Sequence, residues 1–220
     1  MQKILDWSEV WTVLIPIIIY VIKTPQAKYL KPIILYLLIA FVLNFIGDII
    51  EENFYHDPQW VVKINYNQPF YNIHSISRLI LLIYFFRKIN IPVNKILRTF
   101  IPVFVVLILV INFSFFHSFK NFSSLTFSVE GITLIVLCVL YFFRRLQSDQ
   151  TSTAFDSSMY IVTGLAIYEA VCFPIFLFYN TLIKQTEHFA INIWDVHNIA
   201  YIVFCLFIAR AFYGTSQRAV

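Results

Sequence analysis

The stretch FYNIHSISRLILLIYFFRKI, residues 70–89, has the length and apolar weight of a membrane span, yet it carries His74 and Arg78 one helical turn apart. A cation facing hydrocarbon at the centre of a span costs about 2.5–3.5 kcal/mol on insertion scales. Either this helix belongs to a soluble domain, or it crosses a membrane with a polar face turned away from lipid. The rest of the chain decides.

Of the 220 residues, 60 % are hydrophobic and 13 % are charged, and the mean hydropathy is +0.75. Soluble domains run nearer to about a quarter charged, and one of this length cannot hide so much apolar surface. A bilayer accepts it. In hydrocarbon every backbone polar group must be satisfied internally, which leaves helices or a closed barrel. The apolar runs here are long and unbroken, not alternating, so helices are selected. The start MQKILDWSEVW has one lysine, two acids and no small-residue cleavage site, so the first span is expected to be retained. Cys138, Cys172 and Cys205 all fall inside apolar runs. They read as small buried hydrophobes, since a disulfide framework or a zinc knuckle needs pairs near loops.

Apolar segments fall at 8–23, 31–53, 70–87, 97–117, 122–143, 157–180 and 191–213. Each is near the ~20 residues that a crossing helix needs. The expected fold is therefore an all-α integral membrane protein of seven transmembrane helices, a single domain over residues 1–220. FRRLQSDQTSTAFD (143–156) reads as a polar connector, and the outer connection FYHDPQWVVKINYNQP (54–69) as a lid or a short hairpin. The connections after spans one, three and five, with the tail, hold Lys23, Lys28, Lys31, Arg87, Lys88, Lys95, Arg98, Arg144, Arg145, Arg210 and Arg218. The opposite side holds only Lys3, Lys63, Lys120 and Lys184. Cytoplasmic loops carry the excess of Lys and Arg, so the N-terminus is expected outside and the C-terminus in the cytoplasm, in the plasma membrane. Trp7, Trp11, Trp60 and Trp194 then all fall at the outer interface, where amphipathic rings anchor. The net charge of +4 is accordingly a topology signal and does not point to nucleic acid.

An internal repeat lies beneath the hydropathy. At an offset of 121 the first span maps onto the fifth, with Glu9 on Glu130, Thr12 on Thr133, Tyr20 on Tyr141 and Lys23 on Arg144. The same offset places Asp48 on Glu169, and an offset of 123 places His74 on His197 and Arg87 on Arg210. The pattern is 3+1+3, with pseudo-repeats over about 1–90 and 122–213 and a linker helix over about 97–117. Equivalent helices four spans apart run in the same direction, which makes the repeat parallel. This layout resembles the SWEET and PQ-loop transporters in topology. Pro25–Gln26 follows the first span, but the equivalent pair is Leu146–Gln147, so the second Pro–Gln is missing. The closing HNIAYIVFCLFIARAF is similar to small seven-span bacterial membrane proteins, a resemblance that implies no activity.

By depth, nearly every ionisable group within a span falls in the outer half: Asp48, His74, Arg78, Glu130, Glu169, Asp195 and His197. Facing lipid together they would cost on the order of 10 kcal/mol, so they must face each other or water. The expectation is an outward-facing polar pocket between two three-helix halves. His74 and Arg78, at i and i+4, share one face, and Asp48 and Glu130 are the first partners expected for them. A network that only specifies helix packing competes with this reading, although packing alone gives no reason to gather on one side. Glu9, Glu51, Glu52 and His117 lie near an interface and are expected to be solvated; His56 and His188 are expected in loops.

The function expected from such a pocket is transport or binding of a small polar or ionic ligand, without a cofactor. Pro16, Pro102 and Pro174 offer helix breaks for it. A second reading is a membrane-embedded hydrolase acting on lipid. For it, His74, His197, Asp48, Glu130 and Glu169 are adequate zinc ligands, and Gly47–Asp48 resembles a feature of lysoplasmalogenase-type enzymes. There is no HExxH or HxxxH to put two ligands on one helix face. A third reading is a seven-helix sensor signalling to a partner protein. Retinal chemistry is excluded, because the seventh span has no lysine for a Schiff base. Four glycines in all leave no Gly-rich phosphate cradle.

Overall fold

The computed structural model describes residues 2–54, 68–89, 103, 106–108, 110–116, 123–147, 156–182 and 187–215. Among them every regular element is helical and no strand occurs. Six long helices dominate: α1 (Ser8–Ile22), α2 (Lys31–Phe54), α3 (Gln68–Lys88), α4 (Ser124–Gln147), α5 (Ser157–Leu182) and α6 (Glu187–Thr215). A short helix, Gln2–Asp6, precedes α1, and a 3₁₀ turn, Lys28–Leu30, leads into α2. These helices coincide with six of the seven apolar segments of the sequence to within a few residues. Of the fourth segment, the described residues 103, 106–108 and 110–111 are helical and Asn112–Phe116 forms a π turn. The outer connection 55–67 lies outside the described residues.

Local chemistry sets the ends. Pro32 and Pro69 sit in the first turns of α2 and α3, where a missing N–H costs nothing. Ser123 Oγ accepts from Thr126 N–H at 3.3 Å, and Asp156 Oδ1 from Met159 N–H at 2.9 Å, capping α4 and α5. Arg87 and Lys88 close α3, and Arg144 and Arg145 close α4, complementing the negative ends of the helix dipoles. That complement carries α4 on to Gln147, four residues past the end of the apolar run at 143. Likewise α6 begins at Glu187, so His188 stands in its first turn and not in a loop. The helix runs through Pro16 in α1 and Pro174 in α5.

The six helices form a closed ring in chain order: α1 packs on α2, α2 on α3, α3 on α4, α4 on α5, α5 on α6, and α6 returns to α1. Each sends an apolar side chain to a common core: Val13, Leu37, Leu82, Leu134, Leu165 and Phe204 are all fully buried. Each also turns one outward: Ile18, Val42, Ile80, Val139, Phe178 and Leu206 are about half exposed or more. Such an exterior is a liability in water and a requirement in lipid.

Four helical stretches are long and apolar enough to cross a membrane: Lys28–Ile50, Ser124–Gln147, Ser157–Tyr179 and Asn192–Gly214. The other two long helices have physical reasons to fall short. Helix α1 has 15 residues, and α3 is diluted by Asn72, His74 and Arg78, all of which are buried within the ring.

The tightest crossing joins α5 to α6. A Cβ at Gly164 would stand 2.5 Å from Phe207 Cβ and 2.9 Å from its Cγ, so only glycine admits this approach. At Gly47 of α2 an added Cβ meets nothing within 4 Å. Gly164→Ala is expected to lower unfolding stability in mixed micelles by about 1–3 kcal/mol, the usual cost of overpacking. Gly47→Ala is expected to be neutral or slightly stabilising in the same titration.

Candidate functional site

The polar face of α3 is the natural starting point. Asn72, His74, Ser75 and Arg78 repeat at helical spacing and are buried, Arg78 to 3 % exposure. The guanidinium is shared among three groups from the next two helices of the ring. Its Nε donates to Glu130 Oε1 on α4, its Nη1 donates to the Tyr168 hydroxyl on α5 at 2.8 Å, and its Nη2 lies 3.3 Å from Glu169 Oε1 on α5. It also stands 4.9 Å from the centre of the Tyr168 ring, within cation–π range. Glu130 takes a second hydrogen bond from Ser75 Oγ, one turn before Arg78. Both acids are interior groups, Glu130 at 0 % and Glu169 at 1 % exposure.

A second pair closes the ring on its other side. His197 Nε2 on α6 is 3.0 Å from Glu9 Oε1 on α1, and its Nδ1 is 3.3 Å from Cys172 Sγ on α5. Aromatic rings wall the imidazole: Trp194 at 4.9 Å, Phe176 at 5.2 Å and Tyr168 at 5.6 Å. Tyr168 thus touches both networks, holding Arg78 with its hydroxyl and meeting His197 with its ring. Between them, His74 stacks on Tyr36 of α2 at 5.9 Å, and the Tyr36 hydroxyl donates to that of Tyr201 at 3.3 Å.

Several of the residues expected from sequence therefore come together, and from different helices: His74, Arg78, Glu130, Glu169 and His197. Two others do not join them. Asp48 is half-buried on α2, and Arg78 is held by Glu130, Glu169 and Tyr168 without it. The residue that α2 presents at the level of His74 is Tyr36, twelve residues and about 18 Å earlier along the helix at 1.5 Å per residue. Asp195 is half-buried in the N-terminal third of α6, beside Asp6. Partial burial first, and the neighbouring Asp195 second, push the Asp6 carboxyl above the ordinary carboxylate range.

One expectation is corrected. Glu9, read as solvated near the interface, is 6 % exposed and paired to His197. The signal for it was in the sequence, because Glu9 aligns with Glu130 in the repeat. Tyr36, Tyr168 and Tyr201 were missed, since a tyrosine in an apolar run carries no mark of its hydrogen bond. Glu51, Glu52, His56 and His117 fall where the structure describes no side chain. The three cysteines are free and buried, as expected.

Several interior polar atoms have no hydrogen-bond partner among the described residues: His74 Nε2, Glu169 Oε1, Ser8 Oγ, Thr12 Oγ1 and Asn198 Oδ1. Buried polar groups are seldom left so, and two of these atoms, His74 Nε2 and Glu169 Oε1, belong to the residues that converge inside the ring. No group of three or more His, Cys, Asp or Glu side chains among the described residues is placed to hold a metal. The zinc ligands named from sequence are not assembled: Arg78 stands against Glu130 and Glu169, and His197 is engaged by Glu9 and Cys172.

No family model, curated protein or solved structure matches this chain. Fold and site together define a protein whose described residues are helical, with helices apolar enough to cross a membrane closed around a buried acid–base network. Within it Arg78 is the central cation. Arg78→Gln is expected to cost about 3–5 kcal/mol of stability in mixed-micelle unfolding, the penalty for stranding a buried partner. Glu169→Gln, which keeps shape and removes a carboxylate that Arg78 holds only at 3.3 Å, is expected to cost less than about 1 kcal/mol.

Proposed function

We propose that this chain is a multi-pass plasma-membrane protein of seven spans, N-terminus outside, whose two three-helix halves enclose a pocket for a small polar or charged ligand, used for transport or ligand binding. The observation that carries the reading is the convergence of Glu9, His74, Arg78, Glu130, Glu169 and His197 inside the ring, from α1, α3, α4, α5 and α6, with unpartnered polar atoms among them. A network serving packing alone would be expected to satisfy its own members.

Two features support the parallel repeat. Exchanging α1, α2 and α3 with α4, α5 and α6 leaves the order of packing around the ring unchanged. At each seam between halves, moreover, an acid from the first helix of one half meets a base from the third helix of the other: Glu9 with His197, and Glu130 with Arg78. Substrate sites in repeat-built carriers lie at such seams. The orientation is supported by the basic end of the ring, where Lys23 and Arg210 both approach the Tyr213 ring and Arg144 bonds the Ile89 carbonyl.

The groups are closed off here, with exposures from 0 % at Glu130 to 8 % at His74. Ligand entry in this proposal therefore requires a second arrangement, in which the seams part toward the outer end. Trp194, packed on Tyr71 at 6.1 Å and against His197, is the side chain that must move first.

Two measurements test this. Purified protein is screened for thermal stabilisation by amino acids, polyamines, dicarboxylates and sugars. At saturation one class is expected to raise Tm by about 5 °C or more in the wild type, and not in His197→Ala. If no class does so, and proteoliposomes take up the same solutes no faster than empty liposomes, the network is packing only. For topology, the buried native cysteines leave a silent background. Gln2→Cys is expected to react with an impermeant maleimide on right-side-out vesicles, and Gln217→Cys only after permeabilisation; the reverse pattern overturns the orientation.

A further inference from the structure

The charges inside the ring do not balance. Arg78 faces two carboxylates, and its geometry commits it to one of them. Glu130 receives its Nε and a hydrogen bond from Ser75, whereas Glu169 has only the ion-pair approach of Nη2 at 3.3 Å, and its Oε1 has no hydrogen bond. Among the described residues no other cation is free to compensate it. His197, the other base near Glu169, is already engaged at 3.0 Å by Glu9, so that pair is at best neutral. His74 stacks on Tyr36 and makes no ion pair. The remaining groups that face Glu169 are Glu130 and Cys138 on α4 and the adjoining Tyr168, none of which is cationic.

Glu169 is 1 % exposed, so bulk water cannot make up the deficit; an isolated carboxylate in such surroundings is among the most costly arrangements a protein can hold. The space beside it is also kept small. A Cβ at Gly131 of α4 would lie 3.2 Å from Glu169 Oε2, and the backbone there is bare. A buried carboxylate one cation short, whose Oε1 meets Arg78 at 3.3 Å without a hydrogen bond, is a receptor for one small positive charge.

We propose that Glu169 is a monovalent-cation site of the ring, taking one proton or one small alkali or ammonium ion to balance the carboxylate that Arg78 leaves over. This rests on reading the ring interior as a ligand site and names the ionic species that site exchanges. In a ligand cycle, the charge on Glu169 then changes whenever a cationic ligand enters or leaves, while Arg78, through Glu130 and Tyr168, holds α3, α4 and α5 in place.

The test is infrared difference spectroscopy on films of the full chain in lipid, perfused at constant pH and ionic strength. The first buffer contains only bulky cations; sodium chloride and methylammonium chloride are then introduced in turn. In the first buffer, one protonated-carboxyl C=O band per chain is expected. It should be absent in Glu169→Gln and displaced in Glu169→Asp, with the amide bands of each film showing wild-type helicity. A band that persists in sodium and methylammonium identifies the proton as the resident cation. A band replaced by carboxylate absorption on adding either salt identifies that ion as the competitor. Either result supports the site. Wild-type spectra that show no protonated-carboxyl band lost in Glu169→Gln, and no cation-dependent carboxylate change, overturn it. That failure would leave the ligand screen untouched, because a neutral solute binding elsewhere in the ring would still raise Tm.

Discussion

One guanidinium organises the bundle. Arg78 is reached from α4 through Glu130 and from α5 through Glu169 and Tyr168, so three helices adjacent in the ring are tied at a single point. Removing these ions from water is costly, and their mutual attraction repays it only when geometry and extra hydrogen bonds are good. The Arg78–Glu130 pair meets that condition, with Ser75 as its third member. Its main effect is on register: α3 cannot slide or rotate against α4 and α5 without leaving a charge unpaired in the interior. Hydrophobic packing alone gives no such selectivity, because in lipid one apolar face is much like another.

The fold was readable because the solvent dictates it. A chain too apolar for water must place its backbone polar groups in helices, and helix length is then fixed by bilayer thickness. Hence the segments at 31–53, 157–180 and 191–213 nearly coincide with α2, α5 and α6. The ends were less readable where local electrostatics prevail over hydropathy, as at Arg144 and Arg145, which extend α4 beyond its apolar run.

The site was half readable, for an equally physical reason. An ionised side chain inside a span announces itself by its cost, which singles out Arg78, Glu130, Glu169 and both histidines. Which of them meet depends on rotation and on depth, and neither is written in composition. Asp48 shares a helix with Tyr36, but the ring meets that helix at Tyr36. Glu9, one residue inside α1, looked superficial until α6 came alongside and buried it against His197. Tyrosine is harder still to foresee. Its ring satisfies every test for a core residue while its hydroxyl serves a network, as Tyr168 does for Arg78.

The two seams differ in a way that bears on mechanism. At the α3–α4 seam, the acid meets a base that stays charged across the physiological range, and the pair is reinforced by Ser75. At the α6–α1 seam, Glu9 meets the His197 imidazole, which also contacts Cys172 Sγ and the Trp194 ring. Parting α6 from α1 breaks a histidine pair and moves aromatic rings, whereas parting α3 from α4 exposes a guanidinium that has no other partner on its own helix. In the sequence alignment at an offset of 123, Arg78 falls on Tyr201. Tyr201 hydrogen-bonds to Tyr36, whereas Arg78 holds two acids, so the aligned positions tie different helices: α6 to α2 in one case, α3 to α4 and α5 in the other.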